Sequence, residues 1–218
     1  MNITKEEIAQ VDFDKATLVK QVLEYQTERN FVITCLTTDP NIMVYYHCYY
    51  ILDEATRIQP ELFIRYWDDL VRLLSHPNSY HRDIGLTLLA NLTPADQQHL
   101  FDHIFDLYLD HIHDKKFKTG VSCIIHLGKI LETRRDLWQV VFPHLLGHRK
   151  QSPYSEKQEE YINGEIITIF NHFLDLLEPV DQEKALRFIQ NCHDSKSPRT
   201  RKIAKNIIKN RGLAGKFI

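Results

Sequence analysis

The amino-acid sequence predicts an all-α fold: an α/α superhelix, or solenoid, of about five antiparallel helical hairpins. Three observations lead there. Glycine and proline are scarce, 7 and 8 in 218 residues, where an all-β chain would need many turn residues. Apolar residues recur at helical spacing through most of the chain. Two stretches also parallel one another at an offset of 37 residues. Asp39-Pro40-Asn41 precedes one apolar run as His76-Pro77-Asn78 precedes the next, and Tyr45, Cys48, Leu52 and Ala55 stand where Arg82, Gly85, Leu89 and Leu92 stand.

Taken in order, residues 1–24 read as two capping helices, Thr4 to Gln10 and Lys15 to Leu23. Thr27 to Leu36 follows and stops at Thr37-Thr38-Asp39-Pro40, because proline disfavours helix in the residue before it. Asn41 to Ile58 is its helical partner. Gln59-Pro60 then breaks the chain, and Leu62, Phe63, Tyr66, Leu70, Leu73 and Leu74 make Pro60 to Leu74 amphipathic. Pro77-Asn78-Ser79 supplies a turn and an N-cap for a helix whose apolar face is Ile84, Leu88, Leu89 and Leu92. Gly85 sits in that face, where glycine costs about 1 kcal/mol relative to alanine, so a close helix approach is expected there.

Asp96 to His111 and Lys116 to Leu131 make the third hairpin. Two registers compete in its second helix. The 37-residue offset puts Ser122 at the small position and turns His126 inward; a slip of one residue uses Val121, Ile125 and Gly128 and turns His126 outward. The fourth hairpin is Asp136 to Leu146, kinked at Pro143, and Glu159 to Leu177, joined by a polar, elongated and mobile connection over Gly147 to Gln158. Asp181 to Gln190 and Ser197 to Asn210 make the fifth, in which Arg201-x-x-Ala204-x-x-x-Ile208 restores the pattern. The chain is expected to form one domain: caps over 1–24, repeats over 25–211, and a tail over 212–218.

The net charge of −2 hides an asymmetry. Residues 1–194 carry 19 bases against 29 acids, while 195–218 carry Lys196, Arg199, Arg201, Lys202, Lys205, Lys209, Arg211 and Lys216 and no acid. Cys35, Cys48, Cys123 and Cys192 form no C-x-x-C pair and read as small core residues in a reducing compartment, which predicts a cytoplasmic protein. No run approaches the ~18 apolar residues of a transmembrane helix, so no membrane contact is expected. The opening MNITKEEIAQVDFDK has neither the basic start nor the apolar core of a signal peptide.

Chemistry-bearing motifs are few in the sequence. Seven dispersed glycines spell no phosphate-binding loop and no nucleophile elbow, and no cofactor is expected. On an α-helix His99, His103 and Asp106 would share a face with ligand types suited to zinc or iron. Phe101, Ile104, Phe105 and Leu107 supply the buried stripe there, which leaves those polar groups solvated, and no metal is expected. Tyr46, Tyr50 and Asp53 share a helical face opposite Cys48, Leu52 and Ala55, where aromatic rings beside a carboxylate suit a peptide, a base or a cationic group; the competing reading packs the tyrosines against the N-terminal helices. In the last helix Ile203, Ala204, Ile207 and Ile208 form the apolar face and Lys202, Lys205 and Lys209 the other, with Arg201 at the border. Arg201, Lys205 and Lys209 are therefore candidates to meet an acidic protein surface or nucleic acid, against the alternative of a solvated cap.

The pattern Arg82-x-x-Gly85-x-x-x-Leu89-x-x-Leu92 resembles the second helix of a HEAT repeat, and the period lies near the ~40 residues of HEAT and armadillo arrays. The Asp-x-x-Val-Arg signature of that family survives in part, as Ser197-Pro198-Arg199-Thr200-Arg201. The resemblance spans residues 25–211 and implies an α-solenoid whose second helices line a concave surface. HEAT-like di-iron hydroxylases carry repeated His-Glu pairs, and this chain has no His-Glu dipeptide. HEAT-like alkylpurine DNA glycosylases use a carboxylate flanked by tryptophans; here the only such grouping is Trp67, Asp68 and Asp69, with Trp138 the one other tryptophan. The expected function is a non-enzymatic scaffold that binds a protein partner through its concave helix surface. The alternative is a nucleic-acid-binding or DNA-repair protein resembling those glycosylases, which the acidic body opposes.

Overall fold

The computed structural model describes residues 2–150 and 152–212. Among them the regular structure is all helical: twelve α-helices linked by 3₁₀ turns, without a strand. No described helix is long and apolar enough to cross a membrane. The chain divides into two compact units, residues 1–109 and 110–218. The tail expected over 212–218 lies, apart from Gly212, outside the described residues, as does Lys216.

The N-terminal unit opens with α1 (Lys5–Ile8), held by a reciprocal capping box between Thr4 and Glu7. It continues through α2 (Lys15–Glu24), α3 (Gln26–Thr38), α4 (Ile42–Ile58), α5 (Trp67–Leu74), α6 (Ser79–Leu92) and α7 (Phe105–Asp110). Asn41 and Asn78 start α4 and α6 alike: each side-chain oxygen accepts the amide two residues on, Met43 or Tyr80, at 3.0 Å. Two expected helices are shorter than the apolar spacing suggests. Pro60 to Tyr66 is wound as two 3₁₀ turns, Pro60–Leu62 and Ile64–Tyr66, with Phe63 fully buried between them. Asp96 to His111 fails to start at Asp96, because its buried carboxylate takes the amides of Leu100 and Phe101 at 2.8 Å each and His99 turns left-handed at φ 56°. Only a 3₁₀ turn, Leu100–Ile104, then leads into α7.

In this unit α3 packs on α4, α5 on α6, and α4 on α6. Gly85 marks the closest approach. A Cβ there would lie 3.0 Å from Leu73 Cβ and 3.3 Å from the Leu70 carbonyl oxygen, so any side chain at that point would press on α5.

The C-terminal unit holds α8 (Phe117–Thr133), α9 (Trp138–Gly147), α10 (Glu156–Phe173), α11 (Pro179–Asn191) and α12 (Pro198–Asn210). Both registers weighed for α8 are corrected. Its buried face is Thr119, Gly120, Cys123, Ile124, Leu127, Ile130 and Leu131; Ile125 is exposed, and Ser122, Val121 and His126 are half-buried. The constant interval is the one from N-cap to small residue: Asn41 to Cys48, Asn78 to Gly85, Lys116 to Cys123 and Ser197 to Ala204 are each seven residues. The turns between helices vary, so the 37-residue offset becomes 38 at α8.

The elongated connection expected over Gly147 to Gln158 is also corrected. Helix α9 runs through Pro143 to Gly147, a 3₁₀ turn follows over His148–Lys150, and α10 starts at Glu156 behind a capping box of Ser155 and Gln158. His148 is 2% exposed, and the Tyr154 hydroxyl donates to the Asp114 carbonyl at 2.6 Å. The link is short and pinned to the unit; Gln151 lies outside the described residues.

One device closes several of the turns. An arginine four residues past the N-cap folds back onto the carbonyl two residues before that cap. Arg29 donates to Leu23 (3.0 Å) and Val22 (2.9 Å), Arg82 to His76 (2.8 Å) and Pro77 (3.1 Å), and Arg201 to Ser195. At α8 the equivalent residue is Gly120, and the equivalent carbonyl is that of Asp114. Here Tyr154 reaches in instead: a Cβ on Gly120 would run into its hydroxyl oxygen and lie 2.8 Å from the Ile112 carbonyl.

Candidate functional site

In the N-terminal unit the sequence -Tyr45-Tyr46-His47-Cys48-Tyr49-Tyr50- places two pairs of tyrosines at i, i+4 along α4. Tyr46 and Tyr50 stand with ring centroids 6.1 Å apart, Tyr49 lies 5.5 Å from Tyr50, and Tyr80 of α6 meets Tyr46 edge-on at 5.5 Å. Behind them Tyr45 and His81 are buried in ring contact at 4.5 Å. Tyr50 is 45% and Tyr80 42% exposed, so the outer rings of this cluster face water. His47 of the same helix packs against the N-terminal segment, stacked on Phe13 at 4.1 Å and bonded through Nδ1 to the Ile8 carbonyl.

Burial, followed by the neighbouring hydroxyls of Tyr80, Tyr45 and Tyr50 and the Asp83 carboxylate, pushes the Tyr46 phenol up to about 12. Burial and then Asp53 push Tyr49 up as well. Tyr46 and Tyr49 are therefore held as neutral phenols with carboxylates beside them. Asp53 is half-buried and already engaged: Arg57 donates to it at 2.8 Å and the Asn91 amide at 3.0 Å, tying α4 to α6. The structure thus brings Tyr46 and Tyr50 together and adds Tyr80 and Tyr49, while Asp53 acts on Tyr49 and is held by Arg57 and Asn91. The signal for Tyr80 is within reach of the sequence, since the 37-residue offset aligns Tyr46 with Asp83, and Tyr80 lies three residues before Asp83 on the same helix face.

In the C-terminal unit the candidates Arg201, Lys205 and Lys209 separate. Arg201 is half-buried and spent on the Ser195 carbonyl, while Lys205 and Lys209 are exposed, together with Lys202. Other cations of the last hairpin are bound to α10 and its end: Lys196 to Glu156 (2.5 Å), Arg199 to Glu165 (2.8 Å), Arg211 to Asp175 (2.8 Å) and Asn171 (2.5 Å). A buried pair unread in the sequence lies nearby. His148 Nε2 stands 2.8 Å from Glu159 Oε2, with His148 Nδ1 donating to the Leu145 carbonyl at 3.0 Å. Burial drives His148 down to about 4 and Glu159 up, so each group's charged form is disfavoured at this contact.

The remaining candidates do not assemble. His99, His103 and Asp106 cannot share an α-helical face, because the backbone is left-handed at His99 and 3₁₀ beyond it; the His99 ring stands 3.7 Å from Asp102. Among the described residues no three His, Cys, Asp or Glu side chains stand close enough to hold a metal ion. Trp67 is 4% exposed in the core of the N-terminal unit and Asp69 pairs with Arg72 at 2.7 Å, while Trp138 belongs to the C-terminal unit, against Phe142 and Phe173. No protein-family model, no curated protein and no solved structure matches this chain.

Proposed function

We propose that the protein is a non-enzymatic, HEAT-like α-solenoid scaffold that binds a protein partner through the tyrosine surface of α4 and α6. The observation that carries this reading is the layered cluster of Tyr46, Tyr49, Tyr50 and Tyr80, with two large amphipathic rings in water and a buried ring behind them. Tyrosine gives much contact area for little lost side-chain freedom and is enriched in interface cores. The exposed tyrosine faces favour a partner segment that offers apolar or cationic side chains. The repeat pattern, in which cap, arginine and small residue return at fixed intervals, supports the solenoid part of the reading.

The test compares the proteins retained from a lysate of the source cell by the parent chain and by Tyr50→Ser/Tyr80→Ser. Both substitutions are at exposed rings, so the helical circular dichroism is expected to stay the same. A partner held by the parent and lost by the double variant, and then shown to bind directly in purified form, is the expected result. Identical retention by both proteins would refute the surface assignment.

A further inference from the structure

We propose that a second surface, the lysine stripe of α12, docks an acidic segment of a protein partner. Four of the cations in the last hairpin have structural duties: Lys196, Arg199 and Arg211 pair with carboxylates of α10 and the turn after it, and Arg201 closes its own turn. Lys202, Lys205 and Lys209 are different. They are exposed, they recur at i, i+3 and i+7, and among the described residues none has a carboxylate or carbonyl partner. Three like charges thus stand in a row about 10 Å long on one helix face. Fold stability gains nothing from unpaired like charges held side by side, which repel one another. The opposite face of the same helix, Thr200, Ala204 and Ile207, is buried against α10, so the row is held on a rigid element.

Charge complementarity demands an anion, and the stripe favours a short peptide over nucleic acid. It carries lysine alone, without the arginine fork that grips phosphate in a bidentate manner and without a ring on which a base could stack. A nucleic acid also brings a long, dense row of charge, where the stripe offers three cations on one short helix. A few consecutive Asp or Glu residues in extended form span the stripe without extending far beyond it. This inference stands on α12 alone and is independent of the tyrosine surface.

The experiment measures fluorescence anisotropy of a labelled Asp/Glu peptide, a Gln-substituted counterpart and a mixed-sequence DNA duplex, at about 50 and 200 mM salt. The proteins are the full chain, K202Q/K205Q/K209Q, and a charge-matched control, K20Q/K184Q/K196Q. The acidic peptide is expected to bind the parent and the control alike, to lose about tenfold or more with the stripe variant, and to weaken as salt rises. The Gln peptide is expected not to bind. Should the triple variant lose its helical signal, Lys205→Glu alone carries the same comparison. The proposal is overturned if the parent fails to bind the acidic peptide at low salt, or if stripe and control variants lose equally. It is also overturned, in favour of a nucleic-acid surface, if the duplex binds more tightly than the peptide and loses its affinity in the stripe variant.

Discussion

Residues 1–109 hold 16 acids and 8 bases, whereas residues 110–218 hold 13 acids and 19 bases. The contrast continues inside. In the N-terminal unit the buried His81 lies between rings, 4.1 Å from His76 and 4.5 Å from Tyr45, and burial followed by the repulsion of His76 takes it down to about 4. In the C-terminal unit the buried His148 meets a carboxylate instead. Yet both units start their helices with the same cap-to-small-residue interval and close turns with the same arginine. The backbone rules and the side-chain chemistry are therefore separable: caps, turns and close approaches set the helices, and the faces left over are free to become aromatic and acidic in one unit and basic in the other.

The largest effects are expected at Gly120 and Gly85, one glycine from each unit whose missing side chain a neighbouring segment fills. Gly120→Leu should destabilise by about 3 kcal/mol or more, because the new side chain meets a backbone carbonyl as well as Tyr154; Gly85→Leu, facing leucine side chains and a more distant carbonyl, should cost about 1–3 kcal/mol. Equal shifts in urea midpoint would show that the two approaches are alike. Next in size is a pH effect. The folded chain refuses His81 a proton until about 4, whereas the unfolded chain accepts it near 6.5. The folded state then binds fewer protons, so stability is full above about 6.5 and is lost as pH falls towards 4, by on the order of 2–3 kcal/mol. His81→Phe keeps a ring between Tyr45 and His76, and it should flatten part of that slope in thermal melts from pH 7 to pH 4; an unchanged slope would exclude His81 as its source.

The turn-closing arginines give a smaller contrast. Arg82 is 5% exposed and holds two carbonyls, while Arg201 is half-exposed and holds one. Arg82→Met should cost about 2 kcal/mol and Arg201→Met about 1 kcal/mol, read from chemical denaturation. Smallest of all, K202Q/K205Q/K209Q should leave stability within about 1 kcal/mol, since among the described residues these exposed charges have no partner to lose. A larger drop would mean that the stripe supports the fold.

Much of the helical plan is legible because it is written in local chemistry. Asn41, Asn78 and Ser197 announce their helices, and Gly85 announces its close neighbour. What stays hidden depends on distant or variable parts. The register of α8 escapes because a turn one residue longer shifts the count without leaving a mark in the apolar pattern. The segments at Pro60–Tyr66 and Leu100–Ile104 pass for α-helix because apolar residues three apart suit a 3₁₀ turn equally well. His148 looks like part of a polar linker, since its burial depends on Glu159, beyond the turn that follows it. Of the site, Tyr46 and Tyr50 follow from helical spacing within α4, whereas Tyr80 requires carrying the 37-residue offset from α4 onto α6.

The seat of Tyr154 at Gly120 has a consequence for anyone cutting or grafting this chain. The hydroxyl that occupies the missing side chain also holds Asp114, so the stretch from Asp114 to Tyr154 is buckled end to end. A module boundary placed between α8 and α10 would sever the buckle even if each helix were kept whole. The smallest portable piece here is longer than a hairpin, and transplanting it demands that glycine and tyrosine travel together.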